Sequence, residues 1–122
     1  MPFAYQIHKQ DAVYFLTMTA VEWVEVLSRR EAKQLICDSL NHCIEQKGLE
    51  VFAYVIMSNH LHLVVRARQG NLSDIVRDFK KYTSSALIRM LRQPGESRRE
   101  WLVPLLEKGG NRQKKMSRHQ LW

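Results

Sequence analysis

The stretch VFAYVIMSNHLHLVVR, residues 51–66, predicts a β-hairpin. Two apolar runs rich in β-formers flank the Ser-Asn pair at 58–59, a combination typical of a turn between strands. His60 and His62 follow this turn directly. Because side chains two positions apart on a strand point to the same face, we expect both imidazoles on one face and Leu61 in the core. Two neutral imidazoles held in this way can bind one divalent metal ion.

The part of the chain before the hairpin predicts a strand and a helix. Residues 12–21 are rich in β-branched and aromatic side chains, which favour a first strand. Ser28 and Glu31 have the spacing of a capping box, which predicts the start of a helix, and Gly48 is a typical C-terminal stop. The apolar positions of this helix recur every three or four residues, at Ala32, Leu35, Ile36, Leu40, Cys43 and Ile44.

The part after the hairpin predicts a second helix over about residues 72–93, capped by Asn71 or Ser73. Its apolar stripe comprises Leu72, Ile75, Val76, Phe79, Thr83, Ala86, Leu87 and Met90. A short third helix is expected over residues 97–108, and the apolar pair at 121–122 looks like the start of a further element. The order β-α-β-β-α predicts an α+β fold, a ferredoxin-like antiparallel sheet with helices on one face, whose last strand is incomplete or missing.

Length and composition predict one ordinary globular domain over residues 1–122. The longest apolar run, residues 12–21, is about half as long as a membrane helix, and no secretory signal is visible at the N-terminus. Cys37 and Cys43 lie on different faces of the predicted first helix, so we expect neither a disulfide nor a zinc site between them. This cysteine usage fits a reducing cytoplasm.

Positive charge is concentrated in the second half of the chain. Up to Asn59 the sequence has 5 Lys/Arg and 7 Asp/Glu, whereas from His60 onward it has 14 Lys/Arg and 5 Asp/Glu. The basic half begins at the histidines, which predicts a nucleic acid as the ligand; a basic surface kept for solubility is the alternative. The residues predicted to contact nucleic acid are Asn59, Arg66, Arg68, Arg77, Lys80 and Lys81.

Two imidazoles leave the coordination sphere of a metal ion incomplete, which catalysis requires. We expect a third protein ligand, but the sequence does not identify it. A divalent ion beside Lys and Arg would polarise a scissile phosphate and orient it for in-line attack. Tyr82 on the second helix is a candidate nucleophile. Its place three residues after Phe79, at the edge of the apolar stripe, favours packing at the core margin instead.

Residues 54–65, YVIMSNHLHLVV, resemble the signature of the single-tyrosine HUH transposases. These are the small transposases of insertion sequences and the related REP-associated tyrosine transposases. Their typical string is an aromatic residue, apolar residues, Met-Pro-Asn-His, an apolar residue and His-Leu, and Ser58 here stands where Pro is common. The resemblance covers most of the chain, through YFLTMT at 14–19, LSDIVRDFKKYTS at 72–84, ESRREW at 96–101 and LW at 121–122.

The resemblance implies a ferredoxin-like fold, a homodimer formed through the sheet, and transposition by metal-dependent cleavage and rejoining of single-stranded or hairpin DNA. The catalytic, metal-binding histidines of the family correspond to His60 and His62, with Mg²⁺ or Mn²⁺ as the cofactor. The family also implies a bacterial, cytoplasmic protein that associates with the nucleoid at most.

The catalytic tyrosine of the family has no counterpart in this sequence. In relatives it lies on a C-terminal helix beyond a Phe/Leu-Trp-Gln stretch, whereas this sequence ends at Trp122. Tyr82 matches a position in an earlier helix that relatives do not use for attack. On this interpretation the chain is a C-terminally truncated transposase that has its metal ligands and lacks its nucleophile.

Three functions therefore remain open from the sequence. The first is a transposase that transfers DNA strands, incomplete in this chain. The second is a catalytically inactive module that binds nucleic acid through phosphate contacts. The third is an unrelated metal-dependent phosphodiesterase with a water nucleophile.

Overall fold

The computed structural model describes residues 7–93 and 121–122, and within these residues three strands and two helices follow one another in the predicted order. Their bounds are β1 Tyr14–Thr19, α1 Arg30–Lys47, β2 Leu49–Ile56, β3 His60–Ala67 and α2 Leu72–Leu91, with a short 3₁₀ turn at Val21–Trp23 after β1. The α+β fold with an antiparallel sheet is thus confirmed. The third helix predicted over residues 97–108 lies outside the described residues.

The described strands form one antiparallel sheet in the order β1-β3-β2, so β3 is the central strand. Thr17 pairs with His62 and Thr19 with His60 across β1 and β3. On the other side of β3, the register with β2 shifts between Val51 and Ala53, which is a β-bulge.

The central strand separates a buried face from an exposed one. Leu61, Leu63, Val65 and Ala67 are buried in β3, and the residues between them are only half-buried. The buried residues face both helices and join a core that includes Leu16, Met18, Leu40, Ile75, Val76 and Phe79. The predicted alternation is confirmed: the helices cover the leucine face, and the two histidines lie on the opposite face.

Helix α1 ends as predicted and begins differently. Gly48 adopts the left-handed conformation at φ 76° and its N–H bonds to the carbonyl of Cys43, which terminates the helix. The prediction of Ser28 as the capping residue is wrong, because Arg29 occupies the N-cap position without a side-chain cap. The Ser28 hydroxyl instead donates to the carbonyl of Glu25 at 3.1 Å.

The predicted apolar faces of the helices are largely confirmed. In α1 the buried apolar residues are Ala32, Ile36, Leu40 and Cys43, while Ile44 is 38% exposed, contrary to prediction. In α2 every member of the predicted stripe except the half-buried Met90 is buried, and Ile88 and Leu91 are buried as well. Cys37 and Cys43 are both free thiols, as predicted.

Helix α2 receives its N-terminal cap from a distant part of the chain. Asn71 stands at the N-cap position, but its side chain makes no capping hydrogen bond. Gln10 does this instead: its Oε1 accepts from the Ser73 N–H at 2.8 Å and its Nε2 donates to the Ser73 hydroxyl at 2.9 Å. This side chain therefore satisfies a backbone donor that the first turn of a helix leaves open.

The apolar pair at the end of the sequence packs into the core. Leu121 and Trp122 are both buried. The Leu121 carbonyl accepts a hydrogen bond from the Val21 N–H at 2.7 Å, next to the end of β1, and its own N–H donates to the Ser84 hydroxyl at 3.1 Å. No strand or helix is assigned at these two residues, so they are held by these hydrogen bonds and by burial rather than as part of a regular element.

Candidate metal and nucleic-acid site

The two imidazoles lie side by side on the exposed face of the sheet. Their ring centroids are 4.7 Å apart and their planes meet at 77°. The strand geometry fixes this arrangement, because residues two apart on β3 project from the same face. The sequence-based prediction that His60 and His62 come together is supported by this geometry.

Each imidazole has one nitrogen held by a neighbour. The Nδ1 of His60 lies 2.7 Å from Oδ1 of Asn59. An amide oxygen only accepts hydrogen bonds, so this Nδ1 carries the proton and Nε2 has a free lone pair. The Nδ1 of His62 lies 3.0 Å from the hydroxyl of Thr17, which can accept in the same way. Metal-binding histidines characteristically have such a partner on the nitrogen that does not bind the ion.

The turn that carries Asn59 is tied to the segment after β1. The Asn59 carbonyl accepts a hydrogen bond from the Ala20 N–H at 2.9 Å, and the Ser58 carbonyl accepts one from the Leu27 N–H at 2.8 Å. Within the hairpin, the Met57 N–H donates to the His60 carbonyl at 2.8 Å. These bonds hold the start of β3, and with it the first imidazole, in a defined position.

The donor set fits a divalent metal ion with open coordination positions. Two imidazole nitrogens can serve as ligands, and the remaining positions are available to water or phosphate oxygens. In the part of the chain that the structure describes, no group of three or more His, Cys, Asp or Glu side chains could hold a metal ion together. The expected third protein ligand is therefore not found in residues 7–93 or 121–122.

Residues 9–101 match the sequence model of the family described as Transposase IS200 like. The chain belongs to this family. Because the members of this family are transposases, the family assigns the chain to DNA transposition. The crystal structure of a predicted transposase from Deinococcus radiodurans R1 has a similar fold, with a TM-score of 0.57, and 24% of the residues are identical. The similarity covers 80% of this chain and 75% of the other. None of the curated proteins matches the chain.

Some of the basic residues predicted to contact DNA lie in or beside the sheet, and the others lie on helix α2. Arg66 lies on the histidine face, where its guanidinium bonds to the Glu50 carboxylate at 2.6 and 2.7 Å. Arg68 follows at the exit of β3, 4.0 Å from the same carboxylate. Arg77, by contrast, belongs to the helix layer. Of these basic residues, the structure therefore places Arg66 on the face that carries the imidazoles and Arg68 beside it.

The α2 residues of the predicted DNA-contacting set have other partners or surroundings. Arg77 pairs with Asp74 and Asp78, each at 3.3 Å. Burial lowers the pKa of the Lys80 ammonium, whereas Lys81 is exposed.

Tyr82 is on the other side of the sheet from the imidazoles. Its side chain is 57% exposed and lines a groove of about 670 Å³ between α1 and α2. Tyr82 is more exposed than a side chain packed at the core margin would be, because it lines this groove between the helices. The sheet separates the Tyr82 phenol from the histidine face.

Three side chains beside the imidazoles were not predicted in the roles that the structure gives them. Asn59 was predicted as a DNA contact, and it orients His60. Thr17 holds His62, and Phe15 stacks on the same imidazole. The β1 residues have no signal in the sequence, because their contacts depend on the register between β1 and β3.

Proposed function

We propose that this chain binds a divalent metal ion at His60 and His62 and acts on single-stranded DNA as a transposase of the HUH type. The observation that supports this proposal best is the pair of adjacent imidazoles on the sheet face opposite the two described helices, with Asn59 and Thr17 on their Nδ1 atoms. This arrangement leaves both Nε2 atoms available as ligands. Membership of a transposase family supports the DNA backbone as the corresponding substrate.

The residues around the site have separate roles in this proposal. A bound ion would withdraw electron density from a scissile phosphate and neutralise its charge. Asn59 keeps the His60 Nδ1 protonated, so that the opposite nitrogen remains a ligand. Imidazole ligands suit Mn²⁺ better than Mg²⁺, which prefers oxygen ligands, so we expect tighter binding of Mn²⁺.

The described residues provide no tyrosine at the imidazole pair. Tyr14 and Tyr54 pair with Val65 and Leu63, residues that face the helices, and Tyr82 is on α2. This placement favours a second candidate function, in which the chain binds metal and DNA without cleaving the strand.

Binding of Mn²⁺ alone tests the metal site. Electron paramagnetic resonance of free Mn²⁺ during a titration should show one site in the unmodified chain, and His60→Ala or His62→Ala should each remove it. His42→Ala is the matched control, since His42 is an exposed histidine on α1. Equal Mn²⁺ binding by all four proteins would overturn the assignment of the site.

A labelled single-stranded hairpin oligonucleotide with Mn²⁺ or Mg²⁺ distinguishes the candidate functions. We expect binding without cleavage, which supports the second candidate. A covalent protein–DNA adduct that is lost in Tyr82→Phe would contradict the argument about the nucleophile. Metal-dependent cleavage without an adduct would instead indicate a water nucleophile, and with it a phosphodiesterase.

We also propose that the chain forms a homodimer through its sheet. In the described sheet, β1 and β2 are edge strands, and their free backbone groups could pair with a second copy. Analytical ultracentrifugation tests this proposal, and a monomer at all concentrations would overturn it.

A further inference from the structure

We propose that Phe15 is a stacking platform for a base of single-stranded DNA, placed beside the phosphate that the two histidines would bind. This inference rests on the proposed function and adds a residue that recognises the substrate. Its starting point is the side chain itself: Phe15 lies on β1 and is 62% exposed. An exposed phenyl ring marks a ligand surface where it belongs to a contiguous apolar patch, and Phe15 lies on the sheet face opposite the two helices.

The Phe15 ring is next to the candidate metal site. It stacks on the imidazole of His62, with the ring centroids 5.3 Å apart and the planes inclined by 29°. Because the side chain is 62% exposed, we infer that the side of the phenyl opposite the imidazole is open to a base. A base on that side would be one ring away from the imidazole pair. The phosphate next to this base could then reach a metal ion held by the two histidines.

The surroundings of Phe15 form an apolar strip across the histidine face. Val64 is its partner in the β1–β3 register, and Val55 pairs with His62 from β2. Val55 is 50% exposed, and Val64 is half-buried. The middle of this face is therefore apolar, and it is continuous with the imidazoles at one end.

The opposite end of the strip is cationic. Two arginines, Arg66 and Arg68, share the single carboxylate of Glu50 there, so one positive charge is not neutralised within this group. The face therefore has a cationic end, an apolar middle and a candidate metal site. A single strand has the complementary pattern, with apolar base faces between anionic phosphates.

A single strand fits this surface better than a duplex or a protein segment. The bases of a duplex are stacked on one another, so they cannot present a free face to an aromatic ring. A purely apolar protein segment would leave the excess arginine charge uncompensated. Sheets with helices on one side bind unstacked bases on the other through exposed aromatic residues, and the position of Phe15 meets this requirement.

Fluorescence anisotropy with a labelled oligothymidylate of about 12 nucleotides, a length within the usual site sizes of such surfaces, tests the proposal. Loss of one stacked base corresponds to a Kd about 5- to 150-fold higher for Phe15→Ala. Phe15→Leu, which keeps apolar area without a π face, should lose most of the same affinity, and Phe15→Trp should retain it. Tyr54→Ala is the matched control, since Tyr54 is 54% exposed but pairs with Leu63 on the other face.

The salt dependence separates stacking from phosphate contacts. Phe15→Ala should raise Kd by a constant factor at every salt concentration, whereas Arg68→Ala should lower the slope of log Kd against log salt by about 0.7, the value for one phosphate on a single strand. Measured in EDTA, this result does not depend on the metal site, so failure of Mn²⁺ binding and failure of stacking are distinguishable. Unchanged affinity in Phe15→Ala would overturn the inference, and so would a change confined to the oligomeric state.

Discussion

The indole Nε1 of Trp122 donates a hydrogen bond to the Thr83 hydroxyl at 2.9 Å, and both side chains are buried. The hydroxyl in turn donates to the Phe79 carbonyl at 2.7 Å, so the bond joins residue 122 to the middle of α2. Trp122→Phe removes this donor while keeping an aromatic ring. We expect the free energy of unfolding to fall by about 0.5–1.5 kcal/mol, the usual net value of one hydrogen bond, in urea denaturation.

A double-mutant cycle is the control for this pair. Thr83→Val deprives the buried indole N–H of this acceptor and should cost about 1–3 kcal/mol. The double variant should cost less than the sum of the two single variants, because the two residues share one interaction. Strict additivity would contradict the predicted coupling.

Because Gln10 caps α2, we expect a substitution at this residue, which is distant from α2 in the sequence, to lower the free energy of unfolding. Gln10→Ala leaves the Ser73 N–H without this acceptor, and loss of a helix cap typically costs about 1 kcal/mol. Thermal or urea unfolding should show the loss. Gln34→Ala is the control, since Gln34 makes only an exposed bond to Asp38 on the surface of α1, a contact of a few tenths of a kcal/mol. Equal stability of the two variants would argue against the cap.

The amide of Asn59 should control the affinity of the metal site. Without its Oδ1, the Nδ1 proton of His60 is no longer fixed, and loss of such a partner typically weakens metal binding about 10- to 100-fold. We expect this loss of Mn²⁺ affinity in Asn59→Ala, together with a change in the ¹⁵N shifts of the His60 ring. Asn59→Asp keeps an acceptor oxygen and should retain the affinity.

Ser58→Ala is the control for Asn59, because Ser58 belongs to the same turn and its hydroxyl donates to Glu25 rather than to an imidazole. This variant should bind Mn²⁺ like the unmodified chain. If Ser58→Ala and Asn59→Ala lost the same affinity, the effect would belong to the turn rather than to the amide.

Because of the Asp78 carboxylate, we expect the free energy of unfolding to fall in acid. The hydrogen bond from the Lys47 ammonium, at 3.1 Å, lowers the pKa of Asp78 below its ordinary 3.8. As the pH falls below 3.8, the unfolded chain takes up a proton that the folded chain still excludes, so this contribution is present above pH 3.8 and is lost as the pH falls through the folded pKa. In urea unfolding between pH 2 and 7, Asp78→Asn should show a shallower acid limb.

Removal of the partner tests the origin of this effect. Lys47→Met should flatten the acid limb as Asp78→Asn does, and the double variant should add little further change. The size of the effect should be small, because the carboxylate is open to solvent and water screens the pair. An acid limb that remains unchanged in Lys47→Met would assign the shift to another neighbour.

The sequence was most informative where a feature depends on local geometry. The alternation in β3 predicted that His60 and His62 share a face, because the period of a strand is local. The Ser28 cap had the correct spacing, but a competing bond to Glu25 prevailed. Contacts between distant segments, such as Gln10 with Ser73, have no local pattern and could not be predicted.

Charge along the sequence was a weaker guide than charge on a surface. The basic half of the chain begins at the histidines, but the face on which each basic side chain lies depends on the strand or helix to which it belongs. Arg66 follows the alternation of β3 to the histidine face, whereas Arg77 follows the helical period of α2 to the other layer. Only the packing of strands and helices determines which of these charges a bound DNA strand could reach.

The central position of β3 has a consequence for how this chain can change over evolutionary time. A slip of one residue in its register would turn the imidazoles inward and the leucines outward, and the core would be lost. An insertion or deletion inside β3 is therefore removed by selection for folding, whether or not the protein still acts on DNA. A descendant that keeps this register inherits the orientation of positions 60 and 62, and it loses the site through substitution of the side chains rather than through a change of fold.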